Sequence, residues 1–242
     1  MLTAYIDESS HEAGTVVLAG FIGTKEQWES FIPLWKNALG QRKRLHTRRL
    51  RWKQPATKSL LERLAPIPFK CGLRPVYASV TDSDFSDLLE TDLEKWIHKT
   101  YILAVLPMLL LIINNIPENE TIRFVFDQQL QYENFVRLIF LYLERYKTAD
   151  GRSKLADVEF VYRSPLTEPG DYLAFAITQI RRDSHSQKAD WCAPIVLHLV
   201  MPNVDPIVCQ PTRDDVRYVV EAGKRISNKK NEDKDEGNSG RT

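Results

Sequence analysis

Asp7, Asp127 and Asp171 are the residues whose types and places in the chain could do chemistry together. Asp7 follows the apolar stretch LTAYI and is followed at once by Glu8, Asp127 closes TIRFVFD, and Asp171 opens the apolar run in TEPGDYLAFAI. Singly, each has an ordinary structural explanation. Asp7 and Glu8 suit a turn after a strand, Asp127 a cap before a helix, and Asp171 the favourable field of a helix N-terminus. Taken together they imply more, because the carboxyl ends of parallel strands in an α/β sheet share one edge, where ligand sites form. Carboxylates gathered there repel one another and raise at least one pKa unless a cation neutralises them. Mg²⁺ or Mn²⁺ is the natural neutraliser, since hard divalent ions take carboxylate oxygens and keep waters that a phosphate can displace. Two such ions about 4 Å apart activate a water and stabilise the leaving oxygen of a phosphodiester. The expected chemistry is therefore metal-dependent hydrolysis of nucleic acid. Side chains alternate across a strand, so Asp7 and Glu8 cannot both aim into one site. Asp7, on the face of Thr3 and Tyr5, ranks above Glu8 as the ligand.

The elements that must position these acids can be read from pattern. Residues 2–7 and 15–22 read as two strands joined by a polar turn at Gly14. Thr24 caps a helix whose Trp28, Phe31, Ile32 and Trp35 share one face, ending near Gly40. A short helix over residues 56–64 and a strand over 69–80 come next, then a long helix interrupted by Pro107. The fourth strand ends at Asp127 and precedes a helix near residues 132–146. The fifth, ADVEFVYR, precedes a helix starting at Pro169. Alternation of strand and helix predicts parallel neighbours joined by right-handed crossovers. APIVLHLVM and DDVRYVVEAGKRI are apolar enough to pack and ambiguous in type. Residues 228–242 have the composition of a solvated, disordered tail.

Between Gln41 and Pro55 lies a run of basic residues without an acid. Arg42, Lys43, Arg44, Arg48, Arg49, Arg51 and Lys53 flank His46, with Trp52 placed to stack on a base or sugar. Such a run contacts phosphates or forms a solvated connection between helices. His46 could bind phosphate or shuttle a proton. Asp82, Asp84 and Asp87 in TDSDFSD fit a helix cap. His11 beside Ser9 and Ser10 has no orienting acid or glycine elbow. His98, His185 and His198 lack metal-ligand spacing, and neither a P-loop nor GxGxxG occurs.

With 242 residues and a net charge of +1, the chain can bury a core of its own and has no global pull toward nucleic acid or anionic lipid. Its 3 cysteines form no CxxC pair, which points to a reducing, cytoplasmic setting without disulfides. MLTAYIDES carries no signal-peptide pattern. The apolar run from Tyr101 to Ile113 is shorter than the ~20 residues of a spanning helix, so no membrane segment is expected.

AYIDESS running toward a second apolar strand, HTRRL, RFVFDQQ and TEPGDYLAFAI, in this order, resemble the domain of unknown function 3800 family of the ribonuclease-H-like superfamily. The likeness covers most of residues 1–185 and lies in the order and spacing of short motifs. It implies a mixed five-stranded sheet, an antiparallel meander followed by parallel strands, flanked by helices, with a helical and basic insertion over about residues 41–66. One domain spanning residues 1–227 is expected. The resemblance makes Asp7, Asp127 and Asp171 metal ligands, with Glu8 a further acid. Ser10 stands where the family has Gly, and TEPG precedes Asp171 in place of the family's Leu-Gln-apolar-Ala, which makes Glu168 available to contribute. The implied function is a nuclease using Mg²⁺ or Mn²⁺. The basic residues Arg44, His46, Arg48, Arg49, Arg51 and Lys53 would bind its DNA or RNA substrate. The alternative is a catalytically silent module that binds nucleic acid or a protein partner, or pairs with itself, in a mobile-element or phage-defence system.

Overall fold

The computed structural model describes residues 1–10, 15–81, 99–127, 136–137, 139–141, 143–210, 212 and 214. The turn at Gly14, Asp82, Asp84, Asp87, His98 and residues 228–242 lie outside the described residues, as does most of DDVRYVVEAGKRI. Strands β1 (Leu2–Ser10), β2 (Thr15–Gly23), β3 (Arg74–Thr81), β4 (Ile122–Asp127), β5 (Leu155–Val161) and β6 (Ile207–Cys209) form one mixed sheet. Their order is β5-β4-β1-β2-β3-β6. β2 runs antiparallel to both neighbours, while the β1–β4, β4–β5 and β3–β6 pairs are parallel. An antiparallel meander followed by parallel strands is what the sequence predicts, with six strands in place of five. The extra strand is the three-residue β6, too short to carry an alternating pattern.

Helix α1 (Lys25–Leu39) starts with the predicted Thr24 cap. The Thr24 hydroxyl accepts from the Gln27 N–H, and the Gln27 side chain accepts in return from the Thr24 N–H at 2.8 Å. The insertion that follows contains a 3-10 turn (Thr47–Arg49) and helix α2 (Pro55–Leu64). A short helix α3 (Ile67–Lys70) then replaces the expected start of β3 at Phe69. Gly72, at φ 70, makes the turn that lets the chain reach Arg74 extended. Helix α4 (Lys99–Asn115) carries Pro107 inside it. Helices α5 (Glu168–Arg182) and α6 (Gln187–Leu197) follow later in the chain. Among the described residues no helix is long and apolar enough to cross a membrane. Cys71, Cys192 and Cys209 are all free thiols.

The central strand β2 is buried on both faces, alternate side chains along the sheet entering one core or the other. Ala4, Ile6, Leu18, Ala78, Phe124 and Phe126 pack on the α4 side. Val17, Ala19, Phe21 and Tyr5 pack on the opposite side with Trp28, Phe31 and Trp35 of α1, Leu61 and Leu64 of α2, and Tyr172 and Leu173 of α5. Burying each such large side chain is worth about 1.5–3 kcal/mol.

Gly20 marks the tightest point of the meander. A Cβ added there would lie 2.0 Å from the Tyr5 carbonyl oxygen and 3.0 Å from the Ile6 Cα, both backbone atoms that cannot swing aside. Gly20→Ala is expected to cost at least about 1–3 kcal/mol, read as a lower urea midpoint at unchanged slope.

Candidate active site

β1 does not stop at Asp7, as the sequence predicts, but continues through Ser10. Pairing with β2 extends it, with Asp7 opposite Ala19 and Glu8 opposite Leu18. What ends near Asp7 is the other ladder: the parallel β1–β4 register runs out at Ile6 and Phe126. Asp7 and Asp127 are thus the next residues on two adjacent parallel strands, at their shared carboxyl edge. Asp127 accepts the Arg163 N–H at 3.1 Å.

The third acid arrives on α5, which crosses the face carrying Asp7. The approach is close because residue 170 is Gly. A Cβ there would meet the Ala19 carbonyl at 2.8 Å, the Asp7 nitrogen at 3.2 Å and the Asp7 Cβ at 3.4 Å. Asp171, the next residue, is thereby brought to Asp7. Burial holds the Asp7 carboxyl well above the ordinary carboxylate range, and the negative charges of Glu8, Asp171 and Asp127 add to the rise. Its own neighbour opposes this weakly, the Glu8 N–H donating to Asp7 Oδ1 at 2.7 Å. Glu8, Asp127 and Asp171, from three separate elements, therefore all act on Asp7.

The first turn of α5 also fastens the basic segment. The Thr47 N–H donates to Asp171 Oδ2 at 2.9 Å and its hydroxyl to Oδ1 at 2.8 Å. His46 Nδ1 lies 3.8 Å from Asp171 Oδ2. One turn away, Glu168 is 5% exposed and accepts the Trp35 indole N–H at 2.7 Å and the Leu45 N–H. Burial pushes the Glu168 carboxyl up to about 7 against the lowering effect of those donors, with Asp171 raising it further and Arg44 lowering it. The sequence names Glu168 only as an available substitute, yet it is a structural anchor. Thr47 carries no functional assignment in the sequence reading. Its only sequence signal is a hydroxyl residue inside a basic run.

Of the predicted nucleic-acid contacts, Arg48, Arg49, Arg51 and Lys53 are exposed, and Arg44 and His46 half-buried, on the same segment. Trp52 departs from expectation. It stacks on Phe175 of α5 at 5.2 Å between ring centres and 16° between planes, beside Trp191. One of its faces is therefore spent on the core and is closed to a base.

No protein-family model matches this chain. No curated protein matches it either. Among solved structures it is similar to a chain of the PCNA:RNase HII complex from Archaeoglobus fulgidus, with 16% identity, 89% of this chain and 100% of that chain covered, and a TM-score of 0.41. At that depth the likeness adds no weight to any reading of the site.

The donor set suits a hard divalent cation in kind, since the acids are carboxylates whose mutual repulsion a cation would relieve. In their present positions, among the described residues, no group of three His, Cys, Asp or Glu side chains is gathered tightly enough to hold one.

Glu168 makes a pH prediction. A carboxyl with a folded pKa of about 7 and an ordinary value of 4.5 keeps its proton in the folded state while the unfolded chain has lost it. Stability therefore falls as pH rises from about 4.5 to about 7 and levels off above. Glu168→Gln preserves an acceptor for Trp35 and removes that loss. Relative to the variant, the wild type should lose roughly 2–3 kcal/mol across this window, measured by urea denaturation at pH 5, 6, 7 and 8.

Proposed function

We propose that this chain is a divalent-metal-dependent hydrolase of nucleic-acid phosphodiester bonds, built on a ribonuclease-H-like sheet. The observation that carries the reading is the half-buried Asp7, placed where the β1–β4 ladder ends, one residue past it as Asp127 is on β4, with Gly170 of α5 packed against it and Asp171 next in the helix. Support for the fold comes from the strand order β5-β4-β1-β2-β3 with β2 reversed, the arrangement the family resemblance implies.

Mg²⁺ or Mn²⁺ held by Asp7, Asp127 and Asp171 would supply an activated water and a counter-charge for the leaving oxygen. The chain's own part is to hold the acids against their repulsion. Gly170 admits α5 to the back of Asp7, the Arg163 N–H steadies Asp127, and Thr47 fixes the plane of the Asp171 carboxylate with two donors. His46, at the solvent side of Asp171, is positioned to hold a proton or a phosphate oxygen. The exposed arginines and Lys53 follow directly in the chain and supply backbone contacts for a polyanion.

Cleavage of labelled DNA and RNA in Mg²⁺ and in Mn²⁺ tests this. Asp7→Asn should lose cleavage while keeping its circular dichroism and a stability no lower than wild type, because it removes the repelled charge. Undiminished cleavage by Asp7→Asn would sink the proposal.

A second reading, a module that binds nucleic acid without cutting it, is favoured by one observation: both oxygens of Asp171 are already occupied by Thr47. Calorimetry separates the two. Absence of Mn²⁺ binding together with salt-sensitive binding of nucleic acid selects the silent module.

A further inference from the structure

The corner that follows β5 is built in a way the carboxylates alone do not require. Arg163 has φ 58, and among the described residues it is the only non-glycine with a positive φ. Glycine, asparagine or aspartate adopts that left-handed conformation more readily, and strained residues of this kind gather at functional sites. Two consequences of the bend are visible. The Arg163 N–H reaches Asp127 Oδ1 at 3.1 Å, which pins the corner to the acidic edge. The guanidinium carbon lies 4.3 Å from the centre of the Tyr162 ring, in a cation–π pair, and that ring is 65% exposed. A large aromatic at this bent corner, paired with a cation and open to solvent, adjoins the residue that is bonded to Asp127.

We infer that Tyr162 and Arg163 form a stacking platform for an unpaired base of single-stranded nucleic acid, with the Arg163 guanidinium available to the adjoining phosphate. The inference rests on the nucleic-acid reading of the carboxylate site and adds the strandedness of its substrate. An aromatic face takes any base that is not already stacked within a duplex, and base–aromatic stacking is insensitive to sequence. The platform also gives the site a second flank. Asp171 is fastened to the basic segment through Thr47, and Asp127 to the Tyr162–Arg163 corner through Arg163, so a strand lying across the acids meets contacts on both sides.

The test is fluorescence anisotropy of a labelled single-stranded oligonucleotide and of its duplex, without divalent metal, set beside cleavage in Mn²⁺. Tyr162→Ala should weaken single-strand binding by roughly tenfold to a hundredfold and duplex binding far less. Tyr162→Phe, which keeps the ring, should bind like wild type. Arg163→Gly keeps the N–H and suits the left-handed backbone, so it should melt no lower than wild type while its binding loses about one unit of salt slope. Binding unchanged in Tyr162→Ala, lost equally in Tyr162→Phe, or lost equally on duplex and single strand overturns the platform and leaves the nuclease reading standing. A wild type that cleaves without binding the single strand overturns the platform alone. A wild type that neither binds nor cleaves overturns both.

Discussion

Repulsion among carboxylates is the constraint around which this molecule is arranged. Asp7 is half-buried near Glu8, Asp127 and Asp171, and their negative charges disfavour its ionised form. Such a cluster persists only because the surrounding scaffold over-determines it. Parallel pairing sets β1 beside β4 and so Asp7 beside Asp127. Gly170 lets a helix lie directly on the strand. The core on that face, with Trp28, Phe31, Trp35, Leu61 and Tyr172, holds the helix down. Hydrophobic burial thus supplies the free energy that keeps like charges together.

α5 links Asp7 to the basic segment and to α1. Its apolar face covers the sheet and its first turn carries Glu168 and Asp171. Glu168 receives donors from α1 and from the segment after it, and Asp171 receives donors from Thr47. The helix N-terminus favours both negative charges, which offsets part of their repulsion. A carboxylate with a large desolvation cost, Glu168, is tolerable here because it accepts two N–H groups that would otherwise be buried without partners.

Much of this was legible in the sequence, and the gaps have physical causes. The Thr24 cap, the apolar face of α1, the meander and the acids at the ends of TIRFVFD and in TEPGDYLAFAI follow from local pattern, and all are present. Asp7 reads as the last residue of its strand. Its strand continues to Ser10, because the ladder to β2 outlasts the ladder to β4. Phe69 reads as strand in an apolar stretch, yet Pro66 and Pro68 start a helical turn there. Trp52 reads as a free aromatic, since nothing local reveals that Phe175 will lie against it. The Trp35–Glu168 and Thr47–Asp171 bonds join residues more than a hundred positions apart, beyond the reach of any periodicity.

The tethering of the basic segment separates two kinds of position within it. Leu45 and Thr47 hold the backbone to α5, Leu45 adding a buried side chain, whereas Arg42, Lys43, Arg48, Arg49, Arg51 and Lys53 project outward. The path of the loop is therefore set by a few inward residues, and its outward chemistry is left nearly independent of folding. Exposed positions such as Arg42, Lys43 and Arg49 are therefore open to substitution without loosening the Leu45 and Thr47 bonds that moor the segment.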